Sequence, residues 1–246
     1  MKVELSERMQ AVAGLVSGTG TAADVGCDHG YVAIWLVQNH ICDKVIAMDV
    51  NKGPLERATE NIRAYGLEQY IETRLSNGTQ ALMANEIDTL VCAGMGGKLM
   101  IQILSDGADK IRTMKELVLQ PQSELQEMRR YLREQGMRIV AEDMVRDEDK
   151  FYPMMKVAVS AAGDQTELSD WQQRMEDTYG PYLLKKEHPV LRQYLQKRRE
   201  ICQSIREQLL HDKQPNDRQK ARAEEIAQEI CDIETVLKVY FHVTEQ

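Results

Sequence analysis

Nowhere in the 246 residues does an apolar run reach the roughly eighteen needed to cross a bilayer. The opening Met1-Lys-Val-Glu-Leu-Ser-Glu-Arg8 has no apolar centre and no small-residue cleavage site, so no secretory leader is expected. Five cysteines, Cys27, Cys42, Cys92, Cys202 and Cys231, form no C-x-x-C pair and have no histidine spacing suited to zinc. No metal site is expected, and dispersed thiols without an export signal predict a cytoplasmic protein. Positive charge is also short, with a formal net charge of −8. That excess of one sign speaks against nucleic acid unless cations cluster locally.

A third glycine is missing where a dinucleotide site would need it. Asp24-Val-Gly-Cys-Asp-His-Gly-Tyr31 follows a small-residue lead-in, Thr19 to Ala23, and precedes an amphipathic helical pattern from Tyr31 to Asn39. The D-x-G-x-x-x-G turn, with Gly26 and Gly30, lets a nucleotide-like ligand approach the backbone between a first strand and a first helix. A dinucleotide fingerprint places glycine where this chain has Asp28, and a carboxylate there would repel a pyrophosphate. Near a sulfonium cation it is tolerable or useful. Val45-Ile-Ala-Met-Asp49 then ends a second strand in an acid about 25 residues after Asp24, suited to ribose hydroxyls. Asp24 and Asp49 together read as an S-adenosylmethionine site.

Up to about residue 160, strand-like and helix-like patterns alternate. The strands read as Thr21–Val25, Val45–Met48, Ile71–Leu75, Thr89–Ala93, Glu116–Gln120, Met137–Met144 and Met154–Ser160, with helices at Pro54–Tyr65, Met95–Asp106 and Leu125–Gln135. Such alternation predicts an α/β fold, a mostly parallel sheet with helices on both faces. The last two strands leave no room for a helix between them. Arg146-Asp-Glu-Asp-Lys150 makes a charged hairpin tip, so the seventh strand should be antiparallel, as in the Rossmann-like class I methyltransferase sheet.

Beyond a polar break at Ala161-Ala-Gly-Asp-Gln-Thr166, the period turns helical from Pro189. Leu191, Leu195, Cys202, Ile205 and Leu209 form one stripe; Ala223, Ile226, Ile230, Ile233, Leu237 and Tyr240 form an a/d seam. His211 to Asp217, with Pro215 and Asn216, reads as a turn between them. The division is therefore a catalytic domain over 1–160 and a helical coiled-coil hairpin over 161–246. Lys185, Lys186, Arg192, Lys197, Arg198, Arg199 and Arg206 face only Glu187 and Glu200 in that stretch. Such a cluster suits phosphate contacts or a solvated helix face, and the seam suits either a substrate arm or a dimerisation element. A second basic group is Arg129, Arg130, Arg133 and Arg138.

Two loops remain. Ser76-Asn-Gly-Thr79, after the third strand, places the Asn77 carbonyl where it could accept from an adenine amine, with Gly78 beside it; the alternative is an ordinary N-G turn. Ala93-Gly-Met-Gly-Gly97 ends the fourth strand without the D/N-P-P-Y motif that grips exocyclic amines. The open loop of Gly94, Met95 and Gly96 suits an acceptor bringing its own lone pair. Gln120-Pro121-Gln122 ends the fifth strand with amides able to pair with a base edge or cap the loop.

The D-x-G-x-D-H-x-Y and A-G-M-G-G motifs, Leu119-Gln-Pro121, the leading Leu5-Ser-Glu-Arg8 and the helical tail together resemble the bacterial tRNA (adenine(22)-N1)-methyltransferases, the TrmK family. Gln122 stands where that family often has Asn. The resemblance implies S-adenosylmethionine as donor and tRNA as partner. Cofactor contacts would come from Asp24, Gly26, Gly30, Asp49, Asn77, Gly78, Ala93, Gly94, Met95 and Gly96. Substrate contacts would come from Gln120, Pro121, Lys197, Arg198 and Arg199. For the chemical step, Asp28 would stabilise the cationic product, with His29 as orienting donor and Tyr31 as stacking partner; alternatively these three only build the turn. A small-molecule methyltransferase and a non-catalytic RNA-binding protein are the other classes compatible with these patterns.

Overall fold

The computed structural model describes residues 2–18, 20–160, 168–211 and 216–243. They fall into two compact units, Met1–Glu167 and Leu168–Gln246. The expected break at 161–166, Thr19 in the lead-in and Pro215 in the turn lie outside the described residues.

In the first unit the helices are α1 (Glu7–Gly14), α2 (Tyr31–Gln38), α3 (Lys52–Ala64), α4 (Gly97–Asp106), α5 (Ala108–Ile111) and α6 (Leu125–Glu134). The strands are β1 (Thr21–Val25), β2 (Lys44–Asp49), β3 (Ile71–Leu75), β4 (Thr89–Met95), β5 (Glu116–Pro121), β6 (Arg138–Asp147) and β7 (Lys150–Ala158), in the order β3-β2-β1-β4-β5-β7-β6. β1 to β5 are mutually parallel, whereas β7 runs antiparallel to both β5 and β6. Alternate strand residues feed two cores, as the period-2 pleat requires. Ala22, Val45, Ala47, Val91 and Val118 pack under α1, α2 and α3. Ala23, Ile46, Met48, Leu90, Cys92 and Leu117 pack under α4, α5 and α6. The chain leaves β1 towards β2 on one side and reaches β4 on the other. That reversal opens a crevice at the carboxyl ends of the strands, where ligands of such sheets bind.

Several local expectations shift. The expected hairpin tip contracts to Glu148 and Asp149, with Glu148 at φ 53°, so β7 begins at Lys150 instead of Met154. β4 runs on through Met95, and α4 starts at Gly97 because Gly96, with extended backbone, caps it. α1 was not anticipated: its Ser6 cap and two buried residues, Val12 and Ala13, are too little to show as a period. Arg129 is not a surface cation either. It is buried, its Nε 2.9 Å from Glu142 of β6.

The second unit is not a bare hairpin. α7 (Asp170–Tyr179) and α8 (Pro181–Lys185) precede α9 (Pro189–Leu210) and α10 (Asp217–Phe241). Ser169 with Gln172, and Asn216 with Gln219, form capping boxes that start α7 and α10. α9 and α10 pack along each other in opposite directions, Arg198 meeting Glu229 and Cys202 meeting Ile226 and Ile230. The seam residues from Ala223 to Leu237 are buried, but Tyr240 is half-buried and Ile205 of the other stripe is exposed. Arg174 ties α7 to α10 through Asp232 at 2.9 Å.

Candidate active site

The loop after β1 is held to β2 before any ligand is considered. Gly26 and Cys27 both donate their N–H to the Met48 carbonyl, at 2.8 and 2.9 Å. Asp28 then adopts φ 48° and Gly30 φ 72°, two left-handed residues that turn the chain into α2. Gly30 also meets α3 closely: a Cβ there would lie 3.1 Å from the Ala58 side chain. Glycine is therefore required on both counts.

Beneath this loop sit two carboxylates. Asp24 is 4% exposed, and its Oδ2 is buried with no hydrogen-bond partner. Burial, and then the neighbouring charge of Asp49, push the Asp24 carboxyl up to about 7. Asp49 is 8% exposed and accepts from the Asn51 amide at 2.8 Å through Oδ1, leaving acceptor capacity for a ligand. A buried, unanswered carboxylate oxygen is costly unless a donor or cation is meant to reach it.

Asp28, His29 and Tyr31 form one patch at the rim. Asp28 is exposed, 3.3 Å from Arg57 Nη2 and 3.6 Å from His29 Nε2. The His29 ring stacks on Tyr31 at 5.6 Å between centroids, and its carbonyl accepts from the Asn61 amide at 3.0 Å. Arg57 and Asn61 of α3, a helix away in sequence, escaped notice because nothing local marks them.

After β3, Ser76 fixes the next loop by donating to the Gly78 carbonyl at 2.7 Å and accepting from Ala81. Asn77 stays exposed and lines a cavity of about 260 Å³ with Thr79, Leu99, Gln102, Ile103 and Asp106. Gly78 packs on Ile103. Leu99, Gln102 and Asp106 were missed, since they look like ordinary α4 surface.

At the end of β4 the register against β5 shifts between Ala93 and Met95, making Gly94 an extra residue at φ 80°. Gly94 is exposed, and a Cβ on it would find only Arg8 Nη1 at 3.8 Å and Gln122 Nε2 at 4.0 Å. Met95 reaches back to within 3.1 Å of a Cβ built on Gly26, joining the two loops. Gly96 and buried Gly97 lead into α4, where the Gly97 amide donates to Ser123 Oγ at 3.3 Å. Gln120 and Pro121 are buried; Gln120 Oε1 already accepts from Arg8 at 3.3 Å, so Gln122 is the exposed member of that loop. Gln120, expected as a base contact, braces Arg8 in this structure.

In the helical unit the basic trio differs from expectation. Arg198 makes a two-pronged pair with Glu229, at 2.5 and 2.9 Å, Arg199 has its Nε buried, and Lys197 is half-buried and engaged. Arg198 thereby ties α9 to α10. Among the described residues no metal-ligating cluster exists and no helix is long and apolar enough to cross a membrane.

The sheet order, the acids closing β1 and β2, and the crevice above them define an S-adenosylmethionine-dependent methyltransferase of the class I, Rossmann-like fold. The family model described as tRNA (adenine(22)-N(1))-methyltransferase matches residues 22–235, and the chain belongs to that family. The Bacillus subtilis tRNA (adenine(22)-N(1))-methyltransferase is 30% identical over 209 residues, 85% of this chain and 87% of that protein. Streptococcus pneumoniae Sp1610, solved in complex with S-adenosyl-L-methionine, is 31% identical with a TM-score of 0.81, covering 95% of this chain and 100% of that one. TrmK of M. capricolum, solved with S-adenosyl-homocysteine, is 25% identical with a TM-score of 0.80, covering 96% and 99%.

Proposed function

We propose that this protein transfers the methyl group of S-adenosylmethionine to ring N1 of adenosine 22 in tRNA, with residues 1–160 as catalytic domain and 161–246 as tRNA-binding domain. We place it in the cytoplasm with its substrate. The observation that carries the site assignment is the orphaned Asp24 carboxylate beside Asp49 at the switch point. Asp49 takes the ribose hydroxyls, Asp24 answers the positive end of the methionine moiety, and Asn77 accepts from the adenine amine, with Leu99 on one wall. Gly26, Gly30, Gly78, Ala93, Met95 and Gly96 shape the cradle.

The cofactor supplies an electrophilic methyl on a sulfonium. The chain's own part is to align the acceptor over Gly94, whose bare backbone leaves room for a base, and to exclude water around it. The N1 lone pair attacks in line, so no general base is needed, and the base must first leave its stack. The charge then sits on the adenine ring. Asp28 is the exposed carboxylate able to stabilise it, although Arg57 shares its charge, and Tyr31, exposed beside it, is the candidate stacking partner.

Labelled methyl transfer to tRNA followed by nucleoside analysis tests this reading. The label should appear as 1-methyladenosine and vanish when adenosine 22 is replaced; transfer that persists without it would refute the assignment. In the same assay Asp28→Asn should lower kcat by about tenfold or more with cofactor affinity unchanged. Equal losses in both would return Asp28 to holding the turn.

For the tRNA surface the proposal moves from Lys197 and Arg198 to Lys185, Lys186 and Arg192, which are exposed and pair with no carboxylate among the described residues. Changing these three to Gln should weaken tRNA binding and reduce its log–log salt slope by about two, at roughly 0.7–0.9 per phosphate contact. Filter binding across a salt series gives both quantities. An unchanged slope would assign the helical unit to dimerisation or stability.

A further inference from the structure

Arg8 carries a charge that nothing around it answers. It projects from the first turn of α1, which Ser6 caps by accepting from the Met9 amide at 3.3 Å. Buried Val12 and Ala13 seat that helix, and Leu5 and Met9 pack on the same core. Arg8 Nη1 donates to Gln120 Oε1 at 3.3 Å, and its guanidinium lies 4.9 Å from the Tyr152 ring centroid. Both partners are neutral. Three other arginines are matched by acids: Arg74 by Glu72 and Glu86, Arg129 by Glu142, Arg198 by Glu229. Arg8 has no carboxylate partner among the described residues, in a chain whose net charge is −8.

The braced guanidinium stands at the open lip. Its Nη1 would be 3.8 Å from a Cβ on Gly94, facing Gln122 Nε2 across the same gap. One of five N–H donors is engaged by Gln120, and the ring of Tyr152 fixes the plane of the rest. A fixed cation beside a base that gains positive charge would oppose the reaction, so its natural ligand is an anion and not the adenine ring.

We propose that Arg8 is an oxyanion-binding residue, its ligand a carboxylate or phosphodiester oxygen presented over Gly94. This rests on the reading that cofactor and acceptor meet at the end of β4. Two sources offer that chemistry: the α-carboxylate of S-adenosylmethionine, and a phosphate next to the target adenosine.

The test uses Arg8→Met, which keeps an apolar stem against Tyr152, and Arg8→Lys, which keeps the charge, in the full chain. Cofactor binding is followed by calorimetry and tRNA binding by filter assay across salt. For a phosphate ligand, Arg8→Met weakens tRNA binding about tenfold or more, lowers the salt slope by about one contact, and leaves the cofactor unaffected. For a carboxylate ligand, the cofactor weakens about tenfold or more, tRNA does not, and a decarboxylated cofactor analogue binds variant and wild type alike. Arg8→Lys recovers part of either loss. Wild-type affinity for both ligands in Arg8→Met overturns the proposal, as does a lowered melting temperature with Lys binding no better than Met. Asp49→Ala in the same calorimeter separates the two failures: cofactor affinity that survives there sinks the site reading itself, whereas loss there with Arg8 silent sinks only this inference.

Discussion

Asp49→Ala is expected to weaken S-adenosylmethionine binding by about 2–3 kcal/mol, roughly 30- to 150-fold, because hydrogen bonds to a carboxylate are worth about 1.5–3 kcal/mol when lost from a buried site. The carboxylate is 8% exposed, so water cannot replace it cheaply on the ligand side. Its other duty is the Asn51 amide at the start of α3, which Asp49→Asn preserves in shape. A calorimetric titration of the two variants therefore separates charge from scaffold. Unchanged affinity in Asp49→Ala would place the cofactor elsewhere.

A larger effect on stability is expected from Arg129→Met. Arg129 and Glu142 have side chains 3% and 0% exposed, joined at 2.9 Å between α6 and β6. Removing the cation breaks a buried ion pair, a change that costs about 3–5 kcal/mol. For a unit of this size that lowers the melting temperature on the order of 10 °C. Removing both charges, as Arg129→Met with Glu142→Leu, should return most of the loss, since the pair and not the charge is what the core tolerates. A thermal melt of the single variant matching wild type would show that the pair holds nothing.

The same arginine marks where reading the chain stops. Arg129 looked like part of a surface cluster with Arg130 and Arg133, and only the fold brings Glu142 to it. Arg198 likewise has its partner, Glu229, on another helix. By contrast, β1 to β5 were legible within about two residues; the inner ones, buried on both faces, are short apolar runs between turns, such as Val45-Ile-Ala-Met48 ahead of Asp49. The loops after β1, β2 and β3 were legible too, their spacing being set by strand and helix lengths. The lip around Gly94 was not. Arg8, Gln122 and Tyr152 converge from three distant segments, and only Gln122 sits in a recognisable loop. Ile205 shows the limit of periodicity, continuing the stripe of Cys202 yet exposed because α10 does not cover it.

The position of β7 also governs the order in which the protein can assemble. The last strand made fills an interior slot between β5 and β6, so a nascent chain carries β5 as a bare edge until residue 150 and beyond have emerged. α1, among the first residues made, packs on α2 but also on β6 and β5, so its seat is complete only once they are in place. Closing contacts over so long a stretch is slow and close to all-or-none. Pulse-labelled hydrogen exchange should therefore see α1 gain protection together with β6 and β7. Arg8, whose ring partner Tyr152 lies in β7, would be translated early and seated last.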